Sequence, residues 1–105
     1  MSKVVHYAGE NFENETLVKS GVTLVDFFAT WCGPCQMLGP VLDELSDNVD
    51  YKIVKVDVDQ ASDLAAQFRV RSVPTMVIFK DGQPVETLVG FMTQDEINKK
   101  VEAHK

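Results

Sequence analysis

The stretch Val22-Thr-Leu-Val-Asp-Phe-Phe-Ala29 is apolar at both alternating sets of positions, with Asp26 as the exception. A strand exposed on one side would alternate apolar and polar residues. An unbroken β-branched and aromatic run instead predicts a strand covered on both faces. Tyr51–Val58 and Thr75–Phe79 have the same character. Between these runs the period changes. Cys35, Leu38, Leu42, Leu45 and Val49 recur at steps of three and four, which predicts one continuous apolar helix face beginning near Pro34. Proline suits a first helical turn, where its missing N–H costs nothing. Pro40 lies further in and is expected to kink the helix. Ala61–Phe68 predicts a short helix with Leu64, Ala65 and Phe68 turned inward.

The remaining elements come from turn and cap chemistry. Asp81-Gly82 is a strong hairpin signal, so Val85–Val89 should pair antiparallel with the strand before it. Lys3–His6 fits a short first strand, and Phe12–Val18 a short helix stopped by Ser20-Gly21. Thr93-Gln-Asp-Glu96 is a capping box that opens the last helix, with Met92 and Ile97 at staple positions and Lys99, Lys100 and Lys105 towards its end. The order β-α-β-α-β-α-β-β-α predicts an α/β fold: a mixed sheet with helices on both faces. The strand order does not follow from the sequence.

A chain of 105 residues fits one domain, residues 1–105, and 45% apolar residues suffice for one core. The net charge of −6 and the absence of a clustered basic stretch argue against nucleic-acid binding. No apolar leader opens the chain, and no apolar run approaches the ~18 residues of a membrane helix. The expectation is a cytoplasmic protein without membrane attachment, where a cysteine pair is more often catalytic or metal-binding than structural.

Cys32 and Cys35 are the only cysteines. They fall where an apolar strand gives way to a helix start. Residues three apart there can bring two Cα atoms within the ~4.4–6.8 Å that a disulfide needs. Unpaired N–H groups and the helix dipole should lower the pKa of Cys32. Cys35 begins the inward face. An accessible nucleophile beside a covered resolving thiol would make a dithiol exchange site. Three blander readings compete. A zinc site needs two more ligands, and the two histidines, His6 and His104, lie at the chain ends with a solvated-residue reading. A structural staple here would close a very short loop and restrain the unfolded chain little. Two inert buried thiols are the third.

Val25-Asp-Phe-Phe-Ala-Thr-Trp-Cys-Gly-Pro-Cys35 resembles the active-site region of the thioredoxin family, for which C-x-x-C near a βαβ pattern is a recognised mark. Asp57-Val-Asp59, Val73-Pro74-Thr75, Phe79-Lys-Asp-Gly82 and Val89-Gly90 extend the likeness over nearly the whole chain. The resemblance implies a thioredoxin fold, with a central five-stranded mixed sheet flanked by about four helices. It implies a monomeric protein disulfide reductase with Cys32 attacking and Cys35 resolving. Trp31, Gly33, Pro34, Val73, Pro74 and Gly90 would dock the substrate, with the Val73–Pro74 bond cis and its backbone pairing with an extended client. No cofactor or metal would be bound. NADPH would act indirectly, through a thioredoxin reductase, and clients would include peroxiredoxin, methionine sulfoxide reductase and ribonucleotide reductase.

Asp26 on its residues alone is either a desolvated acid with a raised pKa or an aspartate aimed at an exposed strand end. The resemblance implies the buried acid, exchanging a proton with Cys35 through water. Lys55 either snorkels from its strand or, as the resemblance implies, lies near Asp26. Four positions depart from the family's common pattern: Phe28 for Trp, Gln36 for Lys or Arg, Arg69 for Gly, and Phe91 for a small residue. Of these, Arg69 and Phe91 are the ones expected to bear on partner choice. Two other activities share the motif: a disulfide oxidase or isomerase, separable by reduction potential, and a binding or chaperone-like subunit that does not need the thiols.

Overall fold

The computed structural model describes residues 2–9, 12 and 20–105. Five strands form one sheet: β1 (Val5–His6), β2 (Val22–Phe28), β3 (Lys52–Asp57), β4 (Thr75–Lys80) and β5 (Gln83–Val89). Their spatial order is β1-β3-β2-β4-β5. The β1–β3 and β2–β3 pairs are parallel, and β2–β4 and β4–β5 are antiparallel. Three helices are described: α1 (Gly33–Asn48), α2 (Ser62–Gln67) and α3 (Gln94–Glu102). The helix expected over Phe12–Val18 falls outside the described residues, apart from Phe12.

The apolar strands sort into two cores because side chains alternate across the sheet. On one face Leu24, Ile53, Met76 and Ile78 pack against Leu38, Leu42 and Leu45 of α1 and Ile97 and Val101 of α3. On the other, Val25, Phe27, Val54, Val56, Val77 and Phe79 pack against Ala65 of α2, with Leu64 and Phe68 beside it and Phe12 closing the cluster. The central strand β2 is thus covered on both sides, as its composition predicts.

Helix α1 runs through Pro40 as one element. Proline there leaves the Gln36 carbonyl without its helical donor, at about 3 kcal/mol. Fully burying one leucine contributes about 1.5–3 kcal/mol, and α1 buries three, so packing outweighs the break. The Asp81-Gly82 turn has positive φ at both residues, +50° and +87°, which two-residue hairpins of matching twist require. The Asp81 carboxylate also accepts from the Gly21 N–H at 2.7 Å, and the Asp81 N–H donates to the Gly21 carbonyl at 2.9 Å. Strand β5 contains Pro84 and a register irregularity opposite Ile78–Phe79, both tolerated because it is an edge strand. The capping box is formed: the Glu96 N–H donates to the Thr93 hydroxyl at 3.3 Å, and the Thr93 N–H to the Glu96 carboxylate at 3.0 Å. His6 is exposed, but His104 is half-buried and contacts the Glu86 carboxylate at 2.7 Å. The solvated reading therefore fails for His104, because α3 ends against β5.

Candidate active site

The site lies at the C-terminal end of β2, where the chain leaves the sheet and starts α1. Cys32 is the N-cap of α1, with extended backbone, and its Sγ accepts the Cys35 N–H at 3.2 Å. One of the four donors a helix start leaves unpaired is thus aimed at sulfur. No acidic side chain occupies the first turn of α1, so no carboxylate there offsets the dipole. Cys32 and Cys35 are joined as a disulfide, with Cα atoms 5.2 Å apart. Both are covered, at 5% and 3% exposure. The expected contrast between an accessible and a covered cysteine is therefore absent in the disulfide form. The Cys32 sulfur folds back over the helix start, with the Val73 carbonyl oxygen 3.6 Å away. What distinguishes Cys32 is its surroundings: Trp31, Gly33 and Pro34 are exposed on either side of it.

The second segment of the site is the loop before β4. The Val73–Pro74 peptide bond is cis. Pro74 is buried and Val73 half-buried, and the Thr75 hydroxyl donates to the Ser72 carbonyl at 2.7 Å. The third segment follows β5. The Gly90 N–H donates to the Pro74 carbonyl at 2.9 Å, and Gly90 has φ +94°, a conformation that favours glycine. Phe91, just beyond, is exposed. The groove residues named from the sequence therefore come from three segments that converge on the disulfide.

Asp26 is fully buried, and neither carboxyl oxygen has a hydrogen-bond partner. Desolvation pushes its pKa up to about 7, and the Lys55 charge opposes part of that rise. Asp26 and Lys55 are direct cross-strand partners, and Asp26 is likewise paired with Met76 of β4. Partnered residues share a sheet face, so Asp26 points to the side covered by α1. Lys55 does not sit on the carboxyl. Its ammonium lies over the Phe28 ring, 4.3 Å from the centroid, and close to Gly39 of α1. An open cleft of about 320 Å³ is lined by Phe28, Ala29, Thr30, Cys35, Gln36, Gly39 and Lys55, so it reaches Cys35 and Lys55 but not the buried Asp26 carboxyl itself. Gln36 donates to the Thr30 carbonyl at 3.0 Å, holding the cleft's rim. A larger cleft of about 530 Å³, lined by Tyr51, Lys52, Lys80 and Lys105 among others, lies at the opposite end of the sheet.

Two features had no counterpart in the sequence reading. The Trp31 indole N–H donates to the Asp59 carboxylate at 2.9 Å. Arg69 occupies a left-handed conformation, φ +58°, where the family pattern has glycine. The paired aspartates in Asp57-Val-Asp59 were a visible signal for the first, but nothing in the sequence links that turn to Trp31. Among the described residues no group of three or more His, Cys, Asp or Glu is placed to hold a metal ion, and no helix is long and apolar enough to cross a membrane.

Two sulfurs closing a four-residue ring at a helix start can open and close with little movement of the backbone, and this places the protein among the thiol–disulfide oxidoreductases. The thioredoxin family model matches residues 3–103. The thioredoxin of Staphylococcus saprophyticus is 47% identical over 103 residues, covering 96% of this chain and 97% of the relative, and that of Staphylococcus aureus is 45% identical over the same length. Among solved structures, a single-site mutant of a thioredoxin from Halobacterium salinarum superposes with a TM-score of 0.88 at 39% identity, covering 96% of this chain and 89% of that one. A thioredoxin from Nicotiana alata gives 0.87 at 38% identity, covering 99% and 94%. The chain belongs to the thioredoxin family.

Proposed function

We propose that the chain acts as a single, monomeric, cytoplasmic domain that reduces disulfides of client proteins and is itself re-reduced by an NADPH-dependent thioredoxin reductase. The observation that carries this reading is the Cys35 N–H donated to Cys32 Sγ at the helix N-cap, which favours negative charge on that sulfur. In the reduced protein the Cys32 thiolate attacks one sulfur of a client disulfide. A Cys32–client bond forms, the client S–S bond breaks, and the departing client thiolate takes a proton. Asp26, ionised, accepts the Cys35 proton through water. The Cys35 thiolate then attacks Cys32 Sγ and expels the second client thiolate, which is protonated in turn. Two electrons pass to the client, and the Cys32–Cys35 bond is restored.

Lys55 biases Asp26 towards its ionised form. Trp31, Gly33, Pro34, Val73, Pro74 and Gly90 form the surface on which an extended client segment docks, its backbone pairing beside Val73. Peroxiredoxins, methionine sulfoxide reductases and ribonucleotide reductase are clients of the expected kind. The test is turnover of a disulfide protein such as insulin with NADPH and a thioredoxin reductase. Sustained NADPH oxidation that depends on this chain is expected. No turnover with both thiols intact would overturn the reading, as would a Cys32–Cys35 reduction potential in the range of strongly oxidising proteins.

A further inference from the structure

Met37 is 62% exposed, although α1 already has a complete apolar face in Cys35, Leu38, Leu42 and Leu45. Met76 is fully buried, and Met92 is half-buried against the same core. Met37 lies off the buried face, three residues after Pro34 and four after Gly33, one turn along the same outward side of the helix. Helical side chains lean towards the N-terminus and lie over the turn before their own Cα. The Met37 thioether therefore leans towards the exposed Gly33–Pro34 turn. A flexible, polarisable thioether suits contact with irregular apolar partners, and oxidation to the sulfoxide makes it polar.

We propose that Met37 is an oxidation site at the rim of the docking surface: a hydroperoxide converts its thioether to the sulfoxide, which weakens client docking and leaves the dithiol chemistry intact. This rests on the reading of Gly33 and Pro34 as docking residues. With hydrogen peroxide, the O–O bond breaks and one oxygen bonds to the Met37 sulfur. The departing hydroxide takes the proton of the transferred OH and leaves as water. The sulfur loses two electrons and the peroxide gains them. In the disulfide form neither cysteine is a thiolate, the species that peroxide attacks, so Met37 is the sulfur open to it.

The disulfide form is treated with hydrogen peroxide, the excess is removed with catalase, and the methionine peptides are resolved by mass spectrometry. Then kcat and KM for insulin are measured with thioredoxin reductase in excess, for the unaltered chain, Met37→Leu and Met37→Gln. Met37 is expected to gain oxygen before Met76 and Met92 do. KM should rise about four-fold with kcat held, the fold-change of one methylene's burial. Met37→Gln, polar at the same place, is expected to show the raised KM without peroxide. Met37→Leu has no sulfur there and should keep, through treatment, whatever KM it has before it. Methionine sulfoxide reductases for both epimers, with dithiothreitol, should return the treated chain to its starting KM. Met37 oxidising no sooner than Met92, or an unchanged KM on full conversion or in Met37→Gln, would overturn the proposal. So would a rise that persists in Met37→Leu or that those reductases do not reverse. If the untreated chain does not turn over insulin, the reductase function itself fails and this inference falls with it.

Discussion

Asp26 shows how one residue can set a cost that the rest of the molecule absorbs. Its carboxyl has an ordinary pKa near 3.8 and one of about 7 in the folded chain, through burial against which Lys55 only partly compensates. The folded state therefore holds a proton that the unfolded state releases as pH rises from about 4 to 7. Stability must fall across that window, and the deficit stays constant above it. A difference of that size corresponds to about 4 kcal/mol. We expect Asp26→Asn to be nearly neutral in stability at pH 4 and stabilising by up to about 4 kcal/mol at pH 8.5, as read by urea unfolding at the two values. An equal effect at both would show that the carboxyl is not desolvated as its surroundings require. The same variant should slow release of client from the mixed disulfide above pH 7, where ionised Asp26 would otherwise take the Cys35 proton.

The residues alone raised a buried Asp26 but left open an aspartate aimed at an exposed strand end; the resemblance to the family implied the buried acid, and its full burial agrees with that. The covering of Cys32 was not legible in the sequence. Its exposure depends on the Val73 loop folding over it from 41 residues away. The Trp31–Asp59 bond joins two turns whose separation in space follows from the strand order, which local patterning does not encode.

At the scale of elements, each helix terminus carries its own chemistry. After α2, the Arg69 N–H donates to the Ala66 carbonyl at 3.0 Å and the Val70 N–H to the Ala65 carbonyl at 3.0 Å, the Schellman pattern with Arg69 in the left-handed position. Val70 and Ala65 pack in the same cluster, as that motif favours. The departure from the family's glycine at this position is thus first a matter of backbone conformation. A side chain there costs about 1–2 kcal/mol, offset by the greater freedom glycine has when unfolded, about 0.4–1 kcal/mol. Arg69→Gly should raise stability by about 0.5–1 kcal/mol, seen as a higher urea midpoint with an unchanged slope. At the other cap, Thr93→Ala should cost about 1 kcal/mol, because the Glu96 N–H loses its acceptor. Calorimetry would show this, and no loss would mean that water replaces the hydroxyl fully.

Element boundaries were readable to within one or two residues wherever a cap or turn marked them. Thr93 and Asp81-Gly82 did so, and α2, Ser62–Gln67, lies within one residue of the expected Ala61–Phe68 at each end although Ala61 makes no side-chain cap bond.

At the scale of the whole molecule, the fold brings three distant segments to one end of the sheet. That end is where β2, flanked by β3 and β4, hands the chain to α1. Replacing both sulfurs, Cys32→Ser/Cys35→Ser, leaves the two cores untouched, so circular dichroism should be unchanged while turnover of insulin is abolished. Retention of full biological function by that variant would favour a binding or chaperone-like role over electron transfer. The mixed sheet was foreseeable from the alternation of strands, helices and one hairpin. The placement of β3 between β1 and β2 was not, since any right-handed crossover satisfies the same pattern.

The two edges of the sheet have a consequence for the company the molecule keeps. On one side the outer strand is two residues long; on the other it carries Pro84 and an irregular register. Neither margin offers a stranger the long, even row of amides and carbonyls on which sheets grow. With clients docking at the Val73 carbonyl as proposed, a molecule blunt at both flanks can touch many partners briefly without becoming a template for their aggregation.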